Sequence, residues 1–181
     1  MILRIVAAAC LLSLGGCQQS GRELAATGGV TAPSSLSMKA VDVPFAGTVT
    51  GETAFDFANP KGCASGFTAI GTGTGTASHI GRTTWESQHC LGPNNTFGDS
   101  ELVLTAANGD EIHLTYTGSC LGEIPAVGDS FTCSGHALVT GGTGRFDQAT
   151  GHLQWGSTVV FEGFDDMSWP GTWTWNGTIR Y

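Results

Sequence analysis

The sequence predicts an all-β protein, a single eight-stranded antiparallel up-and-down β-barrel. Glycine occurs 28 times in 181 residues and charged residues make up only 12%, a composition that favours short strands and tight turns. Past Val43, apolar and polar residues alternate in runs that Gly, Pro, Asn and Asp interrupt, and no run has a helical period. Short connections favour antiparallel neighbours, and a closed barrel leaves no exposed edge. A two-sheet sandwich would bury the same faces and is the structural alternative.

Eight runs of alternation are the predicted strands. In chain order they are Phe45–Phe57, Gly66–Ala77, Arg82–Cys90, Ser100–Ala106, Asp110–Thr117, Ser130–Val139, Gly151–Glu162 and Thr172–Arg180. Together they place one barrel domain at residues 43–181, a length that suits a single core.

The turn signal Asn108-Gly109 fixes the register of one hairpin. A two-residue loop there would pair Leu104 with His113 and split the apolar face between the two sides of the hairpin. A three-residue loop that ends on Gly109 in the left-handed region pairs Leu104 with Ile112, and Leu102 with Leu114. The sequence therefore predicts the three-residue loop, with Glu111 and His113 facing solvent rather than forming a ligand pair.

The same alternation predicts the core and one polar set within it. The predicted core residues of the last three strands are Phe131, Cys133, Ala137, Val139, Leu153, Trp155, Val159, Phe161, Trp173, Trp175 and Ile179. On the third strand Trp85 shares its face with Thr83, Ser87 and His89, so an inward Trp85 carries an imidazole towards the interior. Either His89 is a barrel-end histidine that bonds to backbone, or it contacts a ligand. We take His79, Trp85 and His89 as the candidate ligand-binding residues at the barrel mouth.

Glycine stands at every second position of the stretch Gly71–Thr76, which leaves one face of the second strand without side chains. Either an aromatic side chain such as Trp85 or Trp175 lies over the bare backbone, or the vacancy forms the wall of a pocket. No lysine and no helix follow the stretch, so it is not a phosphate-binding loop.

At the N-terminus, Arg4 precedes an apolar run that is too short to span a membrane, and the segment Leu14-Gly15-Gly16 leads to Cys17. This arrangement resembles a bacterial lipoprotein signal peptide. The resemblance implies that residues 1–16 are removed and that Cys17 carries acyl chains such as palmitate; an ordinary secretory signal is the alternative. Gln18 after the cysteine implies anchoring to the outer membrane. The polar residues up to 42 predict a flexible tether, residues 17–42.

The charge and the cysteines restrict what the domain can bind. The net charge of −8 repels phosphate backbones, so nucleic acid is not an expected partner. Outside the cytoplasm, four of the six cysteines imply two disulfides, and three pairings are possible. Cys63 and Cys90 fall near the open end of one hairpin, which favours their pairing and leaves Cys120 with Cys133. The spacing fits no zinc-binding pattern, and no metal or other cofactor is expected.

The most distinctive string is Gly141-Gly142-Thr143-Gly144-Arg145-Phe146-Asp147-Gln148-Ala149-Thr150-Gly151. It predicts a glycine-rich turn and a short helical turn, with Phe146 and Ala149 tucked under the barrel as a plug. The string resembles the Gly-Gly-Thr-Gly-x-Phe-x-x-Ala-x-Gly element of the allene oxide cyclase-like barrels, shared with plant dirigent proteins. Three further strings resemble uncharacterised bacterial exported proteins of this barrel type: His79-Ile80-Gly81, His89-Cys90 and Thr105-Ala106-Ala107-Asn108-Gly109-Asp110.

The resemblance implies an eight-stranded, calycin-like barrel that binds an apolar or aromatic molecule. It assigns no catalytic residue, because the matched element is structural. Two hypotheses follow. The first is a non-enzymatic envelope protein that binds a small apolar ligand or a partner protein. The second is a cyclase or isomerase with His89 as its acid or base. A cavity of several hundred Å³ that His89 faces is compatible with both, whereas a barrel filled by Trp85, Trp155 and Trp175 would be a solid scaffold.

Overall fold

Eight antiparallel strands close into one barrel in a computed structural model of the chain. The structure describes residues 40–122, 125–163, 165 and 168–181. The strands are β1 (Asp42–Asp56), β2 (Thr68–Ala77), β3 (Gly81–Leu91), β4 (Thr96–Ala106), β5 (Glu111–Cys120), β6 (Ser130–Gly142), β7 (Thr150–Val160) and β8 (Ser168–Arg180). Each pairs with the next, and β8 pairs with β1, so the predicted fold class is confirmed. The predicted signal peptide, Cys17 and nearly all of the predicted tether lie outside the described residues.

Two strands begin four residues earlier than their sequence pattern indicates. β4 starts at Thr96 rather than Ser100, and β8 starts at Ser168 rather than Thr172. Gly98 and the pair Pro170-Gly171 interrupt the apolar alternation, which is why the pattern hides both beginnings. In β4 the pairing with β5 shifts between Phe97 and Leu102, so the early part of the strand is separated from the rest by a bulge.

The hairpin of β4 and β5 has the predicted register. Leu104 pairs with Ile112 and Leu102 with Leu114. Gly109 has φ of +88°, and its N–H donates to the carbonyl of Ala106 at 2.9 Å. The three-residue loop is therefore confirmed, and it keeps the apolar side chains of both strands inside the barrel.

One end of the barrel, which we call the closed end, is filled by side chains. It holds the short turns after β2, β4 and β6, and the third of these carries a single helical turn, Gly144–Phe146. Phe146 and Ala149 are fully buried there, as the predicted plug requires. The open end holds the connections that follow β1, β3, β5 and β7.

Both disulfides lie at the open end, and both have the predicted pairing. Cys63 in the connection after β1 is bonded to Cys90 near the end of β3. Cys120 at the end of β5 is bonded to Cys133, its direct partner on β6. Each bond therefore ties two segments of chain together at the same end of the barrel.

The glycines of β2 lie where other groups come close to the backbone, namely a side chain of β3 and the backbone of β1. A Cβ on Gly71 would lie 2.5 Å from Cη2 of Trp85, so the indole covers this part of the backbone. A Cβ on Gly75 would lie 2.0 Å from the carbonyl oxygen of Thr48 on β1. The prediction that an aromatic side chain fills the bare face is thus confirmed at Gly71, while Gly75 permits the tight approach of β1 and β2.

The outer surface carries the polar side of the alternation. Glu111 and His113 lie there on β5, both partly exposed, with Nε2 of His113 2.8 Å from Oε2 of Glu111. This is the solvent-facing placement that the hairpin register predicts. Over the residues described, no helix has the length and apolar character needed to cross a membrane.

Candidate ligand-binding cavity

A cavity of about 430 Å³ occupies the open end of the barrel. All five tryptophans of the chain line it, and so do six of the nine phenylalanines. The lining aromatic residues are Trp85, Trp155, Trp169, Trp173, Trp175, Phe55, Phe57, Phe67, Phe97, Phe131, Phe161 and Tyr116. No charged side chain belongs to the lining formed by the described residues. The site is therefore an apolar and mainly aromatic cavity of the size that takes a small organic molecule.

The indole rings reach the cavity because alternate residues of a strand face the inside of the barrel. Trp173 and Trp175 on β8 are two residues apart, so both point inwards while Thr174 between them is exposed. The rings of Trp85 and Trp173 lie 4.4 Å apart between centroids, tilted by 38°. Phe55 meets Trp169 at the mouth with centroids 4.7 Å apart, close to edge-on. Rings in these arrangements line the cavity and leave its centre open.

A polar pair lies within this aromatic wall. His89 on β3 and Tyr116 on β5 are both nearly buried, and Oη of Tyr116 is 2.7 Å from Nδ1 of His89. The imidazole also meets the ring of Phe97 edge-on, with centroids 4.7 Å apart. Nε2 of His89 makes no hydrogen bond to any residue that the structure describes. One nitrogen of the ring is thus held by the protein, and the other is left for a molecule in the cavity.

Burial keeps both members of the pair uncharged at neutral pH. It lowers the pKa of His89 from 6.5 to about 4, because a charged imidazolium would lose its hydration. Burial raises the pKa of the Tyr116 phenol above its usual range, and a hydrogen bond from Ser87 offsets part of that rise. The polar part of the cavity is therefore a neutral hydrogen-bonding cluster made of Ser87, His89 and Tyr116.

The bulge in β4 holds Tyr116 in place. Ser100 is buried within the bulge, and its Oγ accepts a hydrogen bond from the backbone N–H of Tyr116 at 2.8 Å. The Ser100 hydroxyl in turn donates to the carbonyl of Tyr116. One side chain thus replaces the ladder bonds that the shifted register of β4 does not supply.

The indole N–H groups of the wall differ in their partners. Nε1 of Trp155 donates to the carbonyl of Thr117 at 3.0 Å. Nε1 of Trp85 has essentially no accessible surface, and among the described residues it is the one such side-chain polar atom without a hydrogen-bond partner. Such a group costs roughly 1–3 kcal/mol of stability, and the packing of Trp85 against Trp173 and Gly71 offsets it.

The structure brings together two of the three predicted ligand-binding residues. Trp85 and His89 both line the cavity. His79 does not, and its placement at the same mouth is wrong. It lies in the turn after β2 at the closed end, with Nε2 2.8 Å from the carbonyl oxygen of Pro44. His89 lies on β3 itself, eight residues after the strand begins at Gly81, and eight residues of extended chain span about 26 Å, so His79 and His89 cannot share a mouth.

His89 fits the ligand-contact alternative better than the backbone-bonded one. Its partner is a side chain, Tyr116, which the sequence interpretation did not single out. A signal was present, because Tyr116 follows Ile112 and Leu114 at alternate positions of β5 and so belongs on the inner face. Phe131, which the pattern placed in the core, is only partly buried because it borders the cavity.

The described residues bring together no group of three or more His, Cys, Asp or Glu side chains that could hold a metal ion. Comparisons of the chain with known protein families, with curated proteins and with solved structures found no match. The likeness to the allene oxide cyclase-like barrels therefore stays a prediction, because unrelated families share eight-stranded barrels.

Proposed function

We propose that this chain is an envelope protein, lipid-anchored at Cys17 to the outer membrane, that binds a small apolar molecule inside its barrel and releases it unchanged. The observation that supports binding is the 430 Å³ cavity into which all five tryptophans converge. A barrel that served only as a scaffold would gain stability by filling this space, since interiors are normally close-packed. The lipoprotein-like N-terminus supports the anchor and the location.

The chemistry of the cavity favours binding over the alternative of a cyclase or isomerase. A general acid or base works best when its pKa lies near the working pH. The pKa of His89 is lowered to about 4 and that of Tyr116 is raised, so neither group exchanges protons readily at pH 7. The cavity is suited to holding a neutral molecule in a dry, aromatic environment.

A cavity-filling variant tests the binding proposal. Ser157 on β7 lines the cavity, whereas its neighbour Thr158 is exposed on the outer face. We expect Ser157→Phe to weaken binding of a neutral naphthalene dye by tenfold or more, because the added ring occupies the space of the ligand. The measurement is a titration followed by the emission of 6-propionyl-2-(dimethylamino)naphthalene.

Thr158→Phe is the matched control, since it adds the same ring on the outside. It should bind the dye as the parent chain does. Equal affinity of both variants and the parent would place the dye outside the barrel, and absence of binding to the parent would remove the proposal. Native mass spectrometry of the protein extracted from membranes tests the anchor, through acyl mass on a chain that begins at Cys17. Such spectra would also show a small molecule that co-purifies.

A further inference from the structure

We propose that the ligand is an uncharged, flat aromatic molecule carrying a carbonyl oxygen, and that Nε2–H of His89 donates a hydrogen bond to that oxygen. The inference rests on the proposed binding function and names the class of molecule that the same cavity takes. Three features of the site support it, namely the direction of the hydrogen bond between His89 and Tyr116, the absence of charged side chains among the described lining residues, and the shape of the aromatic wall.

The first feature is the proton between Tyr116 and His89. A phenol O–H is more acidic than the N–H of a neutral imidazole, and the unprotonated imidazole nitrogen is the better acceptor. Tyr116 therefore donates to Nδ1 across the 2.7 Å contact. A neutral imidazole carries only one proton, so that of His89 is on Nε2. Because Nε2 has no partner among the described residues, it presents a hydrogen-bond donor to the ligand.

The second feature is the charge of the site. The lining formed by the described residues contains no Lys, Arg, Asp or Glu. A carboxylate in this cavity would lose its hydration without gaining a cationic partner, so its binding would be unfavourable. A neutral oxygen with free lone pairs accepts the bond from Nε2 without that penalty. The charge of the site therefore favours a neutral oxygen, such as that of a carbonyl, over a carboxylate.

The third feature is the shape of the wall. Trp85 and Trp173 form a tilted pair on one side, while Phe97 and Trp155 lie 5.8 Å apart between centroids on another. Aromatic rings interact best with other rings in offset or edge-to-face arrangements. A flat conjugated molecule satisfies both sides at once, which makes aromatic ketones and aldehydes the fitting class.

Three naphthalenes of matched shape test the inference on the full chain. They are the ketone 6-propionyl-2-(dimethylamino)naphthalene, its hydrocarbon analogue 2-(dimethylamino)-6-propylnaphthalene, and the carboxylate 6-(dimethylamino)-2-naphthoate. Binding is followed by quenching of the intrinsic tryptophan fluorescence, since every tryptophan of the chain borders the cavity. Each probe is titrated into the parent chain and into His89→Phe, which keeps a ring of similar size but has no N–H.

We expect His89→Phe to weaken binding of the ketone by about tenfold and to leave the affinity for the hydrocarbon unchanged. We also expect the parent chain to bind the carboxylate more weakly than the ketone. If the substitution changes the affinities for the ketone and for the hydrocarbon equally, the proposed hydrogen bond is refuted, while the binding function stands. Tighter binding of the carboxylate than of the ketone would refute the neutral class. Failure of all three probes to bind the parent chain removes the proposed function itself.

A measurement on the unsubstituted chain keeps the inference testable if His89→Phe does not fold. The ¹⁵N shifts of the His89 ring, recorded near pH 7, report which nitrogen carries the proton. We expect the proton on Nε2 in the parent chain and a mixture of both tautomers in Tyr116→Phe, where the donor to Nδ1 is gone. A proton fixed on Nδ1 in the parent chain would overturn the proposal.

Discussion

The two ends of the barrel use their hydrophobic residues differently. At the closed end, compact side chains such as Leu104, Ile112 and Ile179 share the buried core with Phe146, and each of the four is at most 1% exposed. At the open end, larger rings stand around a cavity of about 430 Å³. Branched aliphatic side chains interdigitate and fill space, whereas tilted rings form walls. One continuous barrel is thus filled at one end and holds a cavity at the other, and the difference comes from the side chains on the inner face.

The open end compensates in other ways for the packing it lacks. Both disulfides lie there, and the Ser100 hydroxyl fixes Tyr116 where the ladder of β4 is irregular. The closed end, as far as the described residues show, has no covalent link of this kind. Stability thus comes from close packing at one end, and from cross-links and side-chain hydrogen bonds at the other.

Removing the ring of the plug should give the largest loss of stability. Phe146→Ala deletes a side chain that is 0% exposed and leaves a hole in a fully buried part of the core. We expect the free energy of unfolding to fall by about 4 kcal/mol, measured by urea denaturation. Phe131→Ala is the matched control at the open end, where the ring is only partly buried, and it should cost less than about half as much. Equal losses would contradict the difference between the two ends.

Opening one cross-link should affect mainly the open end. The Cys63–Cys90 bond closes a sequence separation of 27 residues, so Cys63→Ser/Cys90→Ser should lower the free energy of unfolding by about 3.5 kcal/mol. Cys120→Ser/Cys133→Ser, with a separation of 13, should cost about 3 kcal/mol. Amide hydrogen exchange should accelerate first around the cavity and last near Phe146. Uniform acceleration along all strands would show that the ends are not separable.

Acid should weaken the open end through His89. The folded pKa of about 4 lies below the unfolded value of 6.5, so the unfolded chain binds more protons between these values. The contribution of the neutral His89 side chain to the free energy of unfolding is complete above pH 6.5. It is lost as the pH falls towards 4, by about 3 kcal/mol in all. Other groups titrate in this range, so the relevant measurement is the difference in unfolding free energy between the parent chain and His89→Phe from pH 7 to 4. A difference that does not change with pH would contradict the buried, neutral imidazole.

Much of the fold was predictable because the barrel obeys a period of two. The alternation of apolar and polar residues predicted the strands, and the apolar pairs of the β4–β5 hairpin predicted its register. The positions of the cysteines near strand ends predicted the disulfide pairing. The bulge of β4 was not predictable, because it depends on the Ser100 hydroxyl meeting the backbone of Tyr116, sixteen residues away. A contact between strands of this kind has no period along the chain.

The candidate site was predicted only in part. Trp85 and His89 follow from the inward face of β3, but His79 was assigned to the wrong end, although the length of β3 excludes a shared mouth. The cavity itself depends on how far the indole rings tilt away from one another. Sequence places Trp173 and Trp175 on the inside and leaves open whether they meet in the middle.

The position of β1 determines the side on which the barrel is joined to the rest of the chain. Asp42, its first residue, lies at the closed end and is bonded to Arg180 through two hydrogen bonds of 2.8 Å each. β1 therefore begins on the side of the barrel away from the cavity. A pulling force applied at Asp42 would act first on the seam between β1 and β8, at the end of the barrel opposite the entrance of the cavity.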